Sequence, residues 1–469
     1  MLNNINFFYF LGIGGIGMSS LARYFHYMGK IVYGHDQNYT SLTNNLENEG
    51  IIINYDDNIK SIPFWVCSDK CMTIYTPAIP NNHKQWIFLK KNVKNIKKRS
   101  QVLSLITKNK TCIAIGGTHG KTTTCSFLTH ILYSNGIKIT SFLGGISKNY
   151  ESNFISNGKD IFLVEADEFD RSFLHLSPNI ACITSLDQDH VDIYPKKDIL
   201  INAYINFSKR IKNPYKKIFL CKEDSFLYKK YFISKNVIYY SIIYKEDYYS
   251  DNIVIKDNKW YFDFHTPKEV WKSIVLPIPG YHNLKNITAA LSIADYLNIN
   301  KEKIKKYLYL FKGIERRYSI HYNNNGKIYI DDYAHHPTEI NILIKTVKQC
   351  FPKKKILGIF QPHLFSRTKF FENSFAKSLE NFDFLILLEI YPSREDNKKL
   401  EYNINSNILL NKINLNLDNK IVSTLDKVML TIKEKKFDFD IIMTIGAGNI
   451  ENIINPIKKW LNKEYGHNN

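Results

Sequence analysis

The chain has 469 residues, too many for one hydrophobic core, because cores stop growing beyond about 250–300 residues, so two to four domains are expected. Its net charge of +19 comes from scattered lysines, and the one dense run, Lys90–Arg99, has no zinc-finger spacing or RNA-binding signature beside it; it reads as a solvated surface between domains, and no nucleic-acid partner is expected. Seven widely spaced cysteines do not suggest a disulfide framework, and the apolar stretch Phe7–Met18 lacks a basic leader and is broken by four glycines, so neither a signal nor a membrane span is read and a cytoplasmic protein is expected.

Residues Ile5–Leu11 read as a strand that Gly12-Ile13-Gly14-Gly15-Ile16-Gly17 turns into a helix, Met18–Met28. A second strand, Ile31–Gly34, ends at His35-Asp36, and an acidic residue about 20 positions after such glycines usually holds a ribose hydroxyl. Gly12, Gly14, Gly15, Gly17 and Asp36 are therefore candidate nucleotide contacts. Further βα units through Thr73–Tyr75 and Val93–Lys98 make residues 1–107 a Rossmann-like domain.

The apolar run Thr111–Ile115 leads into Gly117-Thr118-His119-Gly120-Lys121-Thr122-Thr123 and a helical pattern, Thr124–Leu132. Strand, glycine turn and helix together cradle phosphate: backbone N–H groups surround the oxygens, Lys121 reaches the outer phosphates and a threonine hydroxyl ligates Mg2+. Ile115 stands where the first glycine of a full P-loop would be, so only the shorter core is present. A strand Ile161–Val164 closes on Glu165-Ala166-Asp167-Glu168, where a carboxylate would hold nucleotide-bound Mg2+. Another, Ile180–Thr184, ends in Ser185–Asp192, whose His190 reads as a metal ligand, a base or a structural histidine. Residues 213–275 read as alternating short strands without chemistry. Then Pro279–Asn286 leads into a helix, Ile287–Leu297, and the amides of Asn283 and Asn286 suit either a base edge or a cap. These features give a P-loop domain over 108–312.

A third α/β unit spans 313–469. Arg316-Arg317 and a strand Lys327–Ile330 precede Asp331-Asp332-Tyr333-Ala334-His335-His336-Pro337-Thr338-Glu339; strand Ile356–Phe360 feeds Gln361-Pro362-His363-Leu364-Phe365-Ser366-Arg367-Thr368; strands Phe384–Glu389 and Ile441–Thr444 follow. Strands alternating with helices predict a parallel sheet whose function sits in the loops at the strand C-termini.

Three α/β domains in this order, Rossmann-like, P-loop ATPase and Rossmann-like, resemble the Mur ligase family, whose members join amino acids to the peptidoglycan precursor. The resemblance rests on Gly117–Thr124, on Glu165–Glu168 followed by Ser172-Phe173-Leu174-His175-Leu176, on Asp331–Glu339, and on Phe360–His363 with Ser366-Arg367-Thr368. Within the family they look like the branch joining L-alanine to the lactyl carboxylate of UDP-N-acetylmuramate with ATP, through an acyl phosphate. That resemblance implies that Gly12–Gly17 take the diphosphate of the sugar nucleotide, and that Gly117, Thr118, His119, Gly120, Lys121, Thr122 and Thr123 take ATP. Thr122, Glu165 and His190 would hold Mg2+; His282, Asn283, Asn286, Arg317, Asp332 and Tyr333 would complete the ATP site. His335, His336, His363 and Arg367 would face the substrate carboxylate and the incoming alanine, with Lys121, Glu165, His190, His336 and Arg367 taken as catalytic, in a monomer or homodimer.

Three segments depart from the family pattern: Leu364 where many members carry arginine, Ser185-Leu186-Asp187 for Asn-Ile-Glu, and Thr76-Pro77 for a serine pair. Rival readings are a recycling ligase that adds a murein peptide to the same sugar nucleotide, an NAD(P)-dependent oxidoreductase built on Gly12–Gly17, and a basic nucleotide-switch or nucleic-acid-binding ATPase.

Overall fold

In the computed structural model, which describes residues 2–225, 232, 236–256 and 259–466, the run Phe7–Leu11 (β1) becomes the centre of the first sheet. Successive side chains of a strand point to opposite faces, and here both faces are covered. Phe8 and Phe10 pack on Phe25 of the helix Ile16–Tyr27, while Tyr9 and Leu11 pack on Val66, Trp86 and Leu89. Ile31–His35 (β2), Ile52–Asn54 (β3), Cys71–Tyr75 (β4) and Ile96–Lys98 (β5) join it, all parallel, in the order β3-β2-β1-β4-β5. The order reverses beside β1, and the glycine turn leaves the carboxyl end of β1 at that switch point, where open parallel sheets bind ligands. The core of this domain runs on into the next: Phe8 and Phe25 share one apolar cluster with Val102, Ile106, Phe142 and Phe162.

The second sheet has ten strands: Thr111–Gly116 (β6), Ile139–Ser147 (β7), Ser152–Ser156 (β8), Ile161–Glu165 (β9), Ile180–Ile183 (β10), Lys217–Cys221 (β11), Val237–Ser241 (β12), Tyr248–Lys256 (β13), Lys259–His265 (β14) and Val270–Leu276 (β15). Their order is β15-β14-β13-β12-β11-β10-β6-β9-β7-β8, parallel from β13 to β7 and antiparallel at both ends. β6 lies between β9 and β10, so the loops after all three open side by side. The stretch 213–275 supplies β11 to β15 and a short helix, Lys222–Ser225; its residues 226–231, 233–235 and 257–258 lie outside the described residues.

The third sheet comprises Ser319–Asn324 (β16), Lys327–Asp332 (β17), Ile356–Phe360 (β18), Phe384–Leu388 (β19), Lys420–Ser423 (β20) and Ile441–Ile445 (β21), in the order β16-β17-β21-β18-β19-β20. It is parallel as expected except at β16, an antiparallel edge. The reason is local: Asn325 and Gly326, with φ of 47° and 76°, form the tight turn that joins paired antiparallel strands.

Two helices begin earlier than their apolar periodicity suggests. That after the phosphate loop starts at Lys121 and that after Pro279 at Tyr281, because Gly120 and Gly280, with φ of 82° and 110°, end the preceding loops. Asn283 and Asn286 consequently lie inside their helix, whose N-cap is Gly280, and neither amide caps it. No helix among the described residues is long and apolar enough to cross a membrane.

Candidate active site

The three domains meet around one cavity of about 680 Å3. Gly15 and Gly17 line it from the first domain, Thr118–Thr123 from the second, and Arg317 with Asp332–His335 from the third. Both glycine turns thus open into the same space.

The phosphate loop is built by backbone approach. A side chain at Gly117, whose φ is 123°, would collide with Thr184, and one at Gly120 with the Asn286 amide. The loop is pinned beneath by Tyr204, whose hydroxyl accepts from Gly117 N at 2.9 Å, and by Ser185, whose hydroxyl accepts from His119 N at 2.7 Å. The helix starts at Lys121, so the N–H groups of its first turn have no carbonyl partner within the helix and face the cavity with its positive dipole end.

Lys121 does not project freely. Its amine donates to Gly117 O at 2.6 Å and to both carboxylate oxygens of Glu168 at 2.8 and 2.9 Å. Burial works against the ammonium, but Glu168 and Asp167 outweigh it and hold the lysine above its ordinary pKa. Glu168, 1% exposed, also accepts from the Tyr204 hydroxyl at 3.2 Å. The motif offers three acids, Glu165, Asp167 and Glu168, and its spacing does not single out Glu168 as the partner of Lys121.

Thr122 and Glu165 do come together: the threonine hydroxyl donates to Glu165 Oε2 at 3.0 Å, and Gly144 N donates to Oε1 at 2.5 Å. Burial raises the Glu165 pKa against those bonds and the Lys121 charge. Hard oxygen donors at the mouth of a phosphate loop fit Mg2+. His190 stands apart from Glu165 and beside Glu168 and Asp189, at 3.9 and 4.0 Å, with Nδ1 buried and unpartnered.

In the first domain Gly12 and Gly14 do not line the cavity. Asp36, expected at a ribose, uses its carboxylate to close the turn, accepting from Gly14 N at 2.8 Å and Asn38 N at 3.1 Å. The end of the basic run also differs from expectation. Lys98 and Arg99 line the cavity rather than a solvated surface, Arg99 packs against Gly17, and the two bridge to Asp170 and Asp167 at 2.8 and 3.2 Å.

Asn283 spends its amide on Pro279 O at 2.9 Å, and burial pushes the neighbouring His282 down to about 4. The stretch read as lacking chemistry adds Glu223 and Asp224 to the wall, where Asp224 pairs with Lys285 at 2.7 Å. Nothing in the spacing of residues 222–225 pointed there; the signal is only that they follow a parallel strand, at its carboxyl end.

From the third domain, Asp332 accepts from Tyr318 N at 2.7 Å and Ala334 N at 2.8 Å, and burial pushes its pKa up to about 6 despite Arg317. Arg316 and Arg317 both face the Tyr333 ring, 5.4 and 5.1 Å from its centre. His335 lines the cavity, and burial holds it down to about 4. His336, His363 and Arg367, expected to face substrate, do not line it. His336 caps the helix Pro337–Cys350, accepting from Thr338 N at 3.3 Å. Arg367 is buried in a forked pair with Asp189, at 2.9 to 3.1 Å, and reaches His363 Nδ1 at 3.3 Å. Leu364, the departure from the family pattern, is buried too.

Models of three domain families match in chain order: "Mur ligase family, catalytic domain" over residues 7–111, "Mur ligase middle domain" over 115–294 and "Mur ligase, glutamate ligase domain" over 316–448. A Flavobacterium johnsoniae protein named UDP-N-acetylmuramate–L-alanine ligase is 44% identical over 98% of this chain and 99% of its own length. One of the same name from Cytophaga hutchinsonii is 40% identical over 100% and 99%. Among solved structures, the UDP-N-acetylmuramate-alanine ligase of Thermotoga maritima superposes with a TM-score of 0.79 at 26% identity, covering 97% of this chain and 99% of that one.

Proposed function

The chain belongs to the Mur ligase family, and from that premise we propose that it joins L-alanine to the lactyl carboxylate of UDP-N-acetylmuramate at the expense of ATP, in peptidoglycan precursor synthesis. The observation that carries the reading is the single cavity into which two phosphate-binding glycine turns open from different domains. A dinucleotide oxidoreductase would leave the second turn without use. The recycling reading has no observation of its own. ATP and a nucleotide sugar as substrates put the work in the cytoplasm.

In the first step a lactyl carboxylate oxygen attacks the γ-phosphorus of ATP; ADP leaves and an acyl phosphate remains. In the second the amine of L-alanine attacks the acyl carbon, phosphate leaves, and the amine proton passes to solvent. Phosphoryl transfer asks for positioning and charge neutralisation more than for covalent help from the protein. The first-turn N–H groups of the helix Lys121–Ser134 cradle the phosphates, and Lys121 turns from Glu168 to the γ-phosphate. Arg317, with Tyr333 behind it, supplies positive charge from the third domain. Thr122 and Glu165 would hold Mg2+, with His190 as a candidate further donor. When bound, the ion neutralises phosphate charge. Gly15 and Gly17, with Lys98 and Arg99, take the diphosphate of the sugar nucleotide.

Two of the wall histidines do not suit a general base. His335 and His282, held near 4 by burial, are neutral and weakly basic at pH 7, so they orient rather than deprotonate. The Arg367–Asp189 pair holds the third domain against the loop that carries His190 and leaves His335 as its histidine nearest the reaction.

Phosphate release from ATP and Mg2+ with UDP-N-acetylmuramate tests the reading. It should depend on both the sugar nucleotide and L-alanine. Release with a stem tripeptide in place of alanine moves the protein to the recycling branch, and release with no amine dependence removes the ligase reading.

A further inference from the structure

From the phosphate loop, the His119 side chain reaches the third domain. Its Nε2 lies 3.3 Å from Asp187 Oδ2, in the loop after β10, and its Nδ1 lies 3.0 Å from Glu339 Oε1, in the first turn of the helix Pro337–Cys350. A ring with both nitrogens against carboxylates donates from both, which only the imidazolium does. The other oxygen of Glu339 accepts from His335 N at 3.0 Å and His336 N at 3.3 Å, so the same carboxylate holds the start of that helix. Thr338 closes the ring of contacts, donating to Asp187 Oδ2 at 3.0 Å. On the loop side His119 has little freedom: its N–H is bound by Ser185 and its carbonyl by Thr184.

This arrangement makes a rigid linkage. The segment just before the helix Pro337–Cys350 carries Asp332, Tyr333 and His335 into the cavity, and its end is tied through Glu339 to the residue between Thr118 and Gly120. A shift of the loop pulls on that segment, and withdrawal of the third domain pulls on the loop. The three side chains His119, Asp187 and His336 also bring nitrogen and oxygen atoms close enough for a metal, but the imidazolium already supplies the positive charge between the carboxylates.

We propose that His119 is a positioning residue that couples the phosphate loop to closure of the third domain, bridging Asp187 and Glu339 so that Arg317 and Tyr333 reach the nucleotide only when the loop is in its binding conformation. The proposal rests on the ligase reading for its nucleotide but not on the identity of the amine acceptor.

The test uses the full-length protein with His119→Ala, His119→Asn and Glu339→Gln, and the double variant His119→Ala with Glu339→Gln. Small-angle X-ray scattering with and without a non-hydrolysable ATP analogue and Mg2+ reads closure directly, and phosphate release reads kcat and the KM for ATP. His119→Ala should abolish the nucleotide-induced contraction and lower kcat/KM for ATP about ten- to a hundredfold, the loss expected for one or two charge-assisted hydrogen bonds. His119→Asn, keeping one donor, should fall between, and affinity for UDP-N-acetylmuramate should not change. The double variant should be no worse than the poorer single. Contraction of His119→Ala equal to that of the unaltered protein, or losses that multiply in the double variant, would overturn the coupling. If the protein releases no phosphate with any amine, the ligase reading fails, while the scattering still decides the fate of His119.

Discussion

Removing either member of the Lys121–Glu168 pair should destabilise the protein unequally. Breaking a buried ion pair by deleting one partner costs about 3–5 kcal/mol, because the other charge is left without compensation. The Glu168 side chain is 1% exposed and the Lys121 side chain 17%, so the stranded carboxylate is the worse case. Lys121→Met, which leaves the Glu168 carboxylate with the Tyr204 hydroxyl and the His190 ring 3.9 Å away but without its lysine, should lie at the upper end of that range. Glu168→Gln leaves a lysine that still has Gly117 O and some solvent, and should lie at the lower end, about 3 kcal/mol. Urea unfolding followed by tryptophan fluorescence and circular dichroism together would compare the two, since a chain of several domains need not unfold in one step. Nucleotide adds a second discriminant. Phosphate neutralises a lysine freed from Glu168, so ATP with Mg2+ should stabilise Glu168→Gln more than the unaltered protein and should barely stabilise Lys121→Met. Equal destabilisation by both substitutions, or a nucleotide shift unchanged in Glu168→Gln, would refute the view that Glu168 and phosphate compete for one ammonium.

Three further outcomes follow from the same geometry. Glu165→Gln should raise the Mg2+ requirement of phosphate release steeply, as it removes the charged oxygen donor beside Thr122, and an unchanged Mg2+ titration would take Glu165 out of the metal site. Gly120→Ala forces a Cβ against Asn286 at a φ of 82°; it should destabilise by more than 1 kcal/mol, about the cost of a left-handed backbone for an L-residue, and weaken ATP binding measured by calorimetry. His119, facing Asp187, Glu339 and the His336 ring, is raised from 6.5 to about 9: burial opposes its charge and the two carboxylates outweigh that. Its contribution to the closed state is therefore complete below about pH 6.5 and is lost as pH rises through about 9. Nucleotide-induced contraction should fade over that window in the unaltered protein, and His119→Ala should remove the dependence.

Much of the fold was legible because its signals are local. A run such as Phe7–Leu11 or Ile356–Phe360 reads as a strand from its own residues, and a glycine turn followed by a helical pattern marks the phosphate loop wherever the chain goes next. One contact of the candidate site was legible in the same way. Thr122 and Glu165 were identified from motifs at the ends of adjacent strands and do meet at 3.0 Å. Motifs do not say which of several contacts a polar side chain makes. His336 and Arg367 sit in polar loops of the kind that serve catalysis, yet one caps a helix and the other neutralises Asp189.

What the sequence determined by itself was which residues fold into strands and phosphate-binding turns, since hydrophobic alternation and the φ allowed to glycine act over a few residues. The tertiary structure alone decided which charges meet. Glu168 lies 47 residues from Lys121, and Glu339 lies 220 residues from His119. Such pairs depend on the order of strands in the sheet and on how one domain is seated on another. Those are set by the burial of apolar area across whole domains, and that non-directional force leaves no mark at any single position of the chain.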